Sequence, residues 1–579
     1  MKIRRYNFLI LFFVSILFSS NLSAQDYNRW QLPEGAKLRI GKGQLNDIKF
    51  APDGNRVAVA TDIGIWIYDA HTRKELALLT GHTGRVTAID FPADGRFLAS
   101  GSFDGTVRLW NIDTGEQTAV FTGHRSFIEN IAVSPDGKTV VSGGTWDTTI
   151  ILWDVETGKQ IKRHSKYHDN LFRRLKIYFD RSRTMPDPNA IEALAFSADG
   201  KTFASGHRDG TIRIWDAATG RKRKTIGVHN NEGIESLTYS PDGKTLASCS
   251  TATEIMLHTF QKGKHQSRHK HHVPFPKNLV FSPDGNHLFG IGYLAVDTIG
   301  RQPYIHKWNV NAGGLLKSKP TPHKYAIQGL AVSPDGETLL SGGWGDTIVS
   351  WNSETLEHTT FTTGHATVGR TLQFSPDGKI LNTISGKDNL KFLDTETGVE
   401  ISAPQQKSNS IKQKSKTSQR RISAEYIKKR SAIRIYDIET GTDMYHITEH
   451  KGIIWRYSFS PDRKILATTS KDMTIRLWEV STGKELLVIP TYSRETTAIT
   501  FFPDGKTLAG GGVYDREQKS FSLIRVWEVP RGRILKTLAG HTEGVGALRF
   551  SPDGKTLASC SGDGTILLWD WEKISQSDK

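Results

Sequence analysis

Five times along this chain a histidine, a serine or threonine, an aspartate and a tryptophan recur at matching distances: His82, Ser100, Asp104, Trp110; His124, Ser142, Asp147, Trp153; His323, Ser341, Asp346, Trp351; His450, Thr468, Asp472, Trp478; His541, Ser559, Asp563, Trp569. A hydroxyl, an imidazole and a carboxylate are the parts of a nucleophilic triad. The repetition argues for another role. One active site needs one such set, whereas these return at regular intervals, each with an indole N–H donor. Sets of this kind suit internal hydrogen-bond networks, because a polar group buried without a partner costs about 1–3 kcal/mol. The chain offers no phosphate-binding glycine loop, CxxC pair, zinc-protease HExxH or nucleophile elbow. Its residues predict no enzyme and no cofactor.

The elements that must hold these sets are written as a repeat. A phrase near Phe-Ser-Pro-Asp-Gly is followed, after about fifteen residues, by an apolar residue, Trp and an acid or amide. Counting on the last residue of each such pair gives Asp69, Asn111, Asp154, Asp216, His258, Asn309, Asn352, Asp394, Asp437, Glu479, Glu528 and Asp570. Most intervals are 42 or 43 residues; those ending at Asp216, Asn309 and Glu528 are longer. A period in the low forties is what four short strands and their turns require, so each unit must stack on neighbours to bury its faces. In the last unit Val545, Ala547, Leu548 and Phe550 read as a first strand, Ser551-Pro552-Asp553-Gly554 as a tight turn, Thr556–Ser559 as a second strand and Thr565–Trp569 as a third. Elsewhere a Thr-Gly-Lys, as at Thr157-Gly158-Lys159, turns the chain into an outer fourth strand.

The strings Gly540-His541, Phe550-Ser551-Pro552-Asp553-Gly554, Leu557 to Thr565 and Leu568-Trp569-Asp570 resemble a WD40 repeat, and the resemblance runs roughly from residue 36 to residue 571. It implies an all-β protein, a β-propeller of four-stranded antiparallel blades, with the recurring His, Ser/Thr, Asp and Trp as a buried network within each blade. It also implies protein–protein interaction without catalysis. Twelve repeat units exceed the about four to eight blades of one ring, which favours two propellers in tandem. The expected division is a signal peptide at 1–24, a lead-in at 25–35, a first propeller of six units at 36–312, a second of six at 313–574 and a tail at 575–579. A seven-plus-five split is the alternative. The unit at 401–445 lacks Ser-Pro-Asp-Gly and is expected to be degenerate, while unit 5 has Met256-Leu257-His258 at the Trp-Asp position. Ala36–Ile40 reads as an outer strand without a blade, and the chain stops after Asp570 before making one, so one end is expected to complete what the other lacks.

The formal charge is +16, and it is concentrated. The segments 159–184, 262–277 and 407–430 carry +7, +5 and +8, which leaves the remainder mildly acidic. The loop-rich, basic face is expected to bind a protein or peptide partner; the alternatives are an anionic polymer or envelope surface, which a cationic face would attract, and an enzyme with a channel site. Phe172, Arg173, Arg174, Lys176, Tyr178, Arg181 and Arg183 interleave aromatic and cationic residues and are the candidate partner contacts. His265, His269, His271 and His272 resemble a metal site in composition only, since strand geometry and the lack of carboxylate or thiolate predict no metal there. Lys2, Arg4 and Arg5, the apolar run Phe8–Phe18 and the small polar residues up to Ala24 have the layout of a signal peptide. With the near-uniform repeats, this layout suggests an exported bacterial protein, periplasmic or extracellular, for which nucleic acid is a disfavoured partner. Cys249 and Cys560 occupy the same slot of different units and are expected to be unpaired core residues.

Overall fold

The computed structural model describes residues 32–144, 148–165, 187–227, 229, 232–250, 254–261, 264–272, 276–296, 300–323, 326–343, 347–363, 372–375, 377–385, 389–397, 399–402, 422–427, 430–437, 442–491, 496–512, 523–529 and 531–576. Its strands fall into twelve antiparallel sheets, one per repeat unit. Eleven have four strands, and the sheet of unit 9 has three. The Ser-Pro-Asp-Gly turns show why the sheets form where they do. In unit 12 the Ser551 hydroxyl donates to Asp553, Asp553 accepts from the Lys555 N–H (3.0 Å), and Gly554 N donates to Ser551 O (2.9 Å). Gly554 sits at φ +71°, where a side chain is strained, and the chain leaves the turn already aimed back along the first strand. The same bonds recur in other units, for example at Ser240, Asp242 and Lys244.

Alternation places apolar side chains on both faces of each sheet, so the core is a series of layers between neighbouring blades. Leu45, Ile48, Ala331, Leu340 and Ile348 join unit 1 to unit 7. Corresponding clusters join units 1 and 2, 2 and 3, 3 and 4, 4 and 5, 5 and 6, and 6 and 7. The first strands of neighbouring units pack on one another, which makes them the innermost strands. Units 1 to 7 thus follow each other around and return to the start. Unit 7 lies between units 6 and 1, so the six-plus-six division is corrected on this point. The boundary at 312/313 also falls inside a blade, because Leu315–Pro320 is the outer strand of unit 6, paired with Gly300–Asn309.

The remaining units pack in the order 9, 10, 11, 12, 8. Unit 12 is completed by the other end of the chain. Ala36–Ile40 pairs antiparallel with Ile566–Asp570, and Leu38 lies buried with Leu372, Leu381 and Leu568. A short helix, Trp571–Gln576, then tucks Trp571 and Ile574 against the same blade. Unit 9 has three strands among the described residues. Its sheet begins at Ile422–Ile427, the strand that is second in every complete blade, and carries no described inner strand.

Residues 41–44 carry the chain from the outer strand of unit 12 to the inner strand of unit 1, and a polar seam forms there. Gln44 donates through its backbone to Asp563 O (3.3 Å) and through Nε2 to Gly562 O (2.9 Å), and the Thr542 hydroxyl donates to Asp62 O. Burial holds the Asp62 carboxyl well above the usual carboxylate range. The insertion around residues 292–304 is a long hairpin, paired as far as Val296 and Gly300. Cys249 and Cys560 are both buried and unpaired.

Candidate functional site

In unit 12 the Trp569 indole N–H donates to Ser559 Oγ (2.8 Å), Ser559 Oγ lies 2.7 Å from His541 Nε2, and His541 Nδ1 lies 2.9 Å from Asp563 Oδ2. The chain of bonds assigns the tautomer: Nδ1–H donates to the carboxylate, and the hydroxyl donates to Nε2. Asp563 also accepts from the Thr542 N–H (3.0 Å) and from Thr565. Units 2 and 10 repeat this arrangement at His82, Ser100, Asp104, Trp110 and at His450, Thr468, Asp472, Trp478. In units 3 and 7 the bonds among His124, Ser142 and Trp153 and among His323, Ser341 and Trp351 are present, while Asp147 and Asp346 lie outside the described residues. Burial lowers the His82 and His450 imidazoles, and Asp104 is held down to about 2 against burial, chiefly by the hydrogen bond from His82. In each set the hydroxyl is enclosed and committed to both an imidazole and an indole. What could have been a nucleophile is a strut.

Two further networks have no counterpart in the sequence reading. Unit 4 takes its histidine from the second strand: His207 Nε2 meets Ser205 Oγ at 2.7 Å, and Trp215 donates to the same oxygen (2.8 Å). In unit 5, Ser248 Oγ lies 2.8 Å from both His229 Nε2 and His258 Nε2. His258 pairs across from Leu246 in the register that Trp569 holds opposite Leu557, so it stands in the tryptophan position and not in the acid position assumed from the sequence. An imidazole N–H there does the work of the indole N–H. The signal was His207 two residues after an Ala-Ser pair, a spacing that the loop-histidine pattern does not capture.

The histidines and aspartates place this end of each blade as the one where the outer-to-inner and second-to-third strand loops emerge together. Around units 3 to 5 the innermost strands present Glu129, Glu192 and Glu235 at the same position. Arg208 reaches Glu192 (3.5 Å) and Lys277 reaches Glu235 (3.1 Å). Burial, with Glu129 and Glu235 nearby, pushes the Glu192 carboxyl up to about 7 despite those cations. On units 2 and 3 the same end carries a stack: Arg85 lies over Phe103 (3.7 Å), and Phe103 stacks on Phe127 (4.3 Å). Such a surface offers charge and aromatic area for recognition.

The candidate contacts Phe172, Arg173, Arg174, Lys176, Tyr178, Arg181 and Arg183 lie outside the described residues, as do most of 407–430 and the side chains of His265, His269, His271 and His272. The backbone of the last cluster is the outer strand of unit 5, Lys264–His272. Among the described residues no group of three or more His, Cys, Asp or Glu is placed to hold a metal ion.

Seven stretches of the chain, 73–111, 115–154, 180–216, 220–257, 315–352, 441–479 and 532–570, match the family described as WD domain, G-beta repeat. The chain is similar to eukaryotic translation initiation factor 3 subunit I of Pyricularia oryzae, 25% identical over 52% of this chain and 86% of that protein. It is also similar to a guanine nucleotide-binding protein subunit beta of Nicotiana tabacum, 22% identical over 47% of this chain and 58% of the relative. Nuclear distribution protein PAC1 of Arthroderma otae is 29% identical over 37% of this chain, which spans only 51% of that relative.

Proposed function

Since the chain belongs to the WD40 repeat family, we propose that it is a non-catalytic scaffold that binds a protein partner at the loop-bearing end of its blades. The observation that carries this reading is the state of the His, Ser/Thr and Asp sets. Each hydroxyl that could attack a substrate is enclosed and already bonded to an imidazole and an indole, so the chemistry-bearing residues build the blades and leave recognition to the loops. The Arg85, Phe103 and Phe127 stack and the carboxylate row of units 3 to 5 are the described parts of that surface. The basic segments 159–184, 262–277 and 407–430 support an acidic partner. The layout of residues 1–24 supports action outside the cytoplasm. Among the described residues no helix is long and apolar enough to cross a membrane.

The test is affinity capture with the full chain, wild type beside Phe103→Ser and Phe127→Ser, with mass spectrometry of what is retained. A partner held by wild type and lost from the loop-end variants supports the reading. A partner indifferent to them, or turnover of a substrate that survives their introduction, ends it. Cell fractionation with an antibody to the chain decides the location.

A further inference from the structure

We propose that the outer flank of units 3 and 4 is a binding surface for a linear polyanion, separate from the loop end to which the scaffold reading assigns the protein partner. The outer strands of these neighbouring blades are Gln160–His164 and Lys222–Gly227. The turn that opens the second strand rests on the first. His164 Nε2 donates to Gly220 O, the His164 ring lies 4.6 Å from that of Trp215, and a Cβ on Gly220 would come within 2.8 Å of the Lys162 stem. One surface therefore runs from Lys159 to Lys224. Between 154 and 164 and between 216 and 227 the chain holds seven Lys or Arg and three acids. Two of the acids are committed: Asp154 accepts from the Thr157 N–H and hydroxyl (both 2.7 Å), and Asp216 from the Thr219 N–H (2.8 Å) and Arg223 Nε (3.1 Å). Arg163 donates to Gly123 O (2.8 Å). The other five cations, Lys159, Lys162, Arg221, Lys222 and Lys224, are exposed, and among the described residues their side chains meet no acceptor.

Other outer edges are built differently. The outer strands of units 1, 2, 7 and 10 contain no Lys or Arg. Where another described outer strand carries a cation, it has a partner: Lys317 donates to Glu354 O (2.8 Å), Lys319 pairs with Glu357 (3.1 Å), Arg533 pairs with Glu528 (3.5 Å), and Lys37 donates to Thr556 (2.7 Å). Lysines guard exposed strand edges against pairing with other chains. Four edges of this protein do without them, so edge protection does not account for the charge of units 3 and 4. Crowded like charges repel one another, and a bound anion relieves that repulsion. The kind of anion follows from what the surface lacks. Ile161, 39% exposed, is the one large apolar side chain it presents, and no Phe, Tyr or Trp is exposed on it. A protein interface is anchored by aromatic and apolar groups and a nucleic-acid strand by stacking, whereas a row of solvated ammonium groups suits many weak contacts along one charged chain. The sequence continues the same sign on both sides. Residues 166–186, which follow the unit 3 strand, hold six cations and two acids, and the outer strand of unit 5, Lys264–His272, holds three Lys or Arg, four His and no acid.

The experiment measures fluorescein-labelled long-chain polyphosphate by anisotropy against the full chain over a series of salt concentrations. The triple variant K162Q/K222Q/K224Q is expected to weaken binding by about tenfold or more and to flatten the dependence of log Kd on log salt by about two units of slope. The triple variant K317Q/K319Q/K555Q removes the same charge from cations that have partners and is expected to bind as the wild type does. The lysines of the first variant have no internal partner to lose, so its melting temperature stays that of the wild type, and weakened binding cannot be ascribed to lost folding. Equal weakening by both variants means that net charge alone is read, and it overturns the assignment. So does an absence of binding at about 0.1 M salt, or a salt slope unchanged by K162Q/K222Q/K224Q. Binding that survives this variant and is lost when the lysines between 412 and 429 are neutralised places the contact there instead, and loss on Phe103→Ser moves it to the loop end; either result ends the proposal. Binding to phosphatidylserine vesicles with none to free polyphosphate makes a bilayer the occupant and ends it too.

Discussion

Unit 12 takes its outer strand from the other end of the chain, and unit 9 shows no inner strand among the described residues; the two edges are met by different means. Unit 12 is short of its outer strand and recovers it as backbone: Ala36–Ile40 adds a full antiparallel edge and buries Leu38. Unit 9 shows no inner strand among the described residues, and side chains from unit 10 reach carbonyls of its second strand. The Tyr457 hydroxyl donates to Ala424 O and Arg463 to Ile422 O, while the Tyr426 hydroxyl donates to Trp455 O (3.1 Å). A strand satisfies donors and acceptors alternately and adds apolar area; two or three side chains satisfy only chosen carbonyls. The comparison sets an outer edge closed by a backbone ladder beside a second strand whose carbonyls are met by side chains of the neighbouring blade.

The sharpest way to break this contrast is to remove residues 36–40. Unit 12 then loses a ladder and the packing of Leu38, a destabilisation of more than about 5 kcal/mol, read as early unfolding of the units around it in urea while units 2 to 6 keep their amide protection. Acid separates the units next. Burial lowers the His207 and His323 imidazoles to about 4. A folded pKa below the unfolded one means that the neutral ring stabilises the blade: the contribution is complete above about 6.5 and is lost as pH falls toward about 4, up to about 3 kcal/mol for each. Hydrogen exchange between pH 7 and pH 4 should therefore loosen units 4 and 7 by a route absent from unit 9, which has no such network among its described residues. The finest comparison pairs Ser559→Ala with Tyr457→Phe. The first strands a buried indole and imidazole and costs about 2–4 kcal/mol; the second removes one hydroxyl bond and costs about 0.5–1.5 kcal/mol. Equal losses in thermal melts would show that side-chain capping matters as much as the internal network.

The repeat and its four-strand period were legible because each rests on local spacing; of the five His-centred sets, three have all four members bonded, and the aspartates of the other two lie outside the described residues. Ser551-Pro552-Asp553-Gly554 announces its turn within four residues, and Trp569 announces its strand. The alignment of His258 was misread by one residue because register depends on the partner strand, and only Leu246 opposite it reveals the slot. His207 was missed for a related reason: a network atom is defined by where it points, and a histidine from the second strand reaches the same serine as one from a loop. The order of blades was the least legible. The division expected at 312/313 falls just before Leu315–Pro320, which pairs as an ordinary outer strand of unit 6. Which blade neighbours which is settled by packing between surfaces hundreds of residues apart, such as Leu45 with Leu340, and no local signal encodes it.

The pairing of Ala36–Ile40 with Ile566–Asp570 has a consequence in time. A ribosome releases the first of these segments long before it makes the second, an interval of roughly half a minute to two minutes at ordinary elongation rates. During that interval units 1 to 7 are complete and can assemble on their own sequence, while the early segment waits without its ladder. Vectorial synthesis thus makes this strand wait for its partner, and unit 12 can be completed only after residues 566–570 have left the exit tunnel.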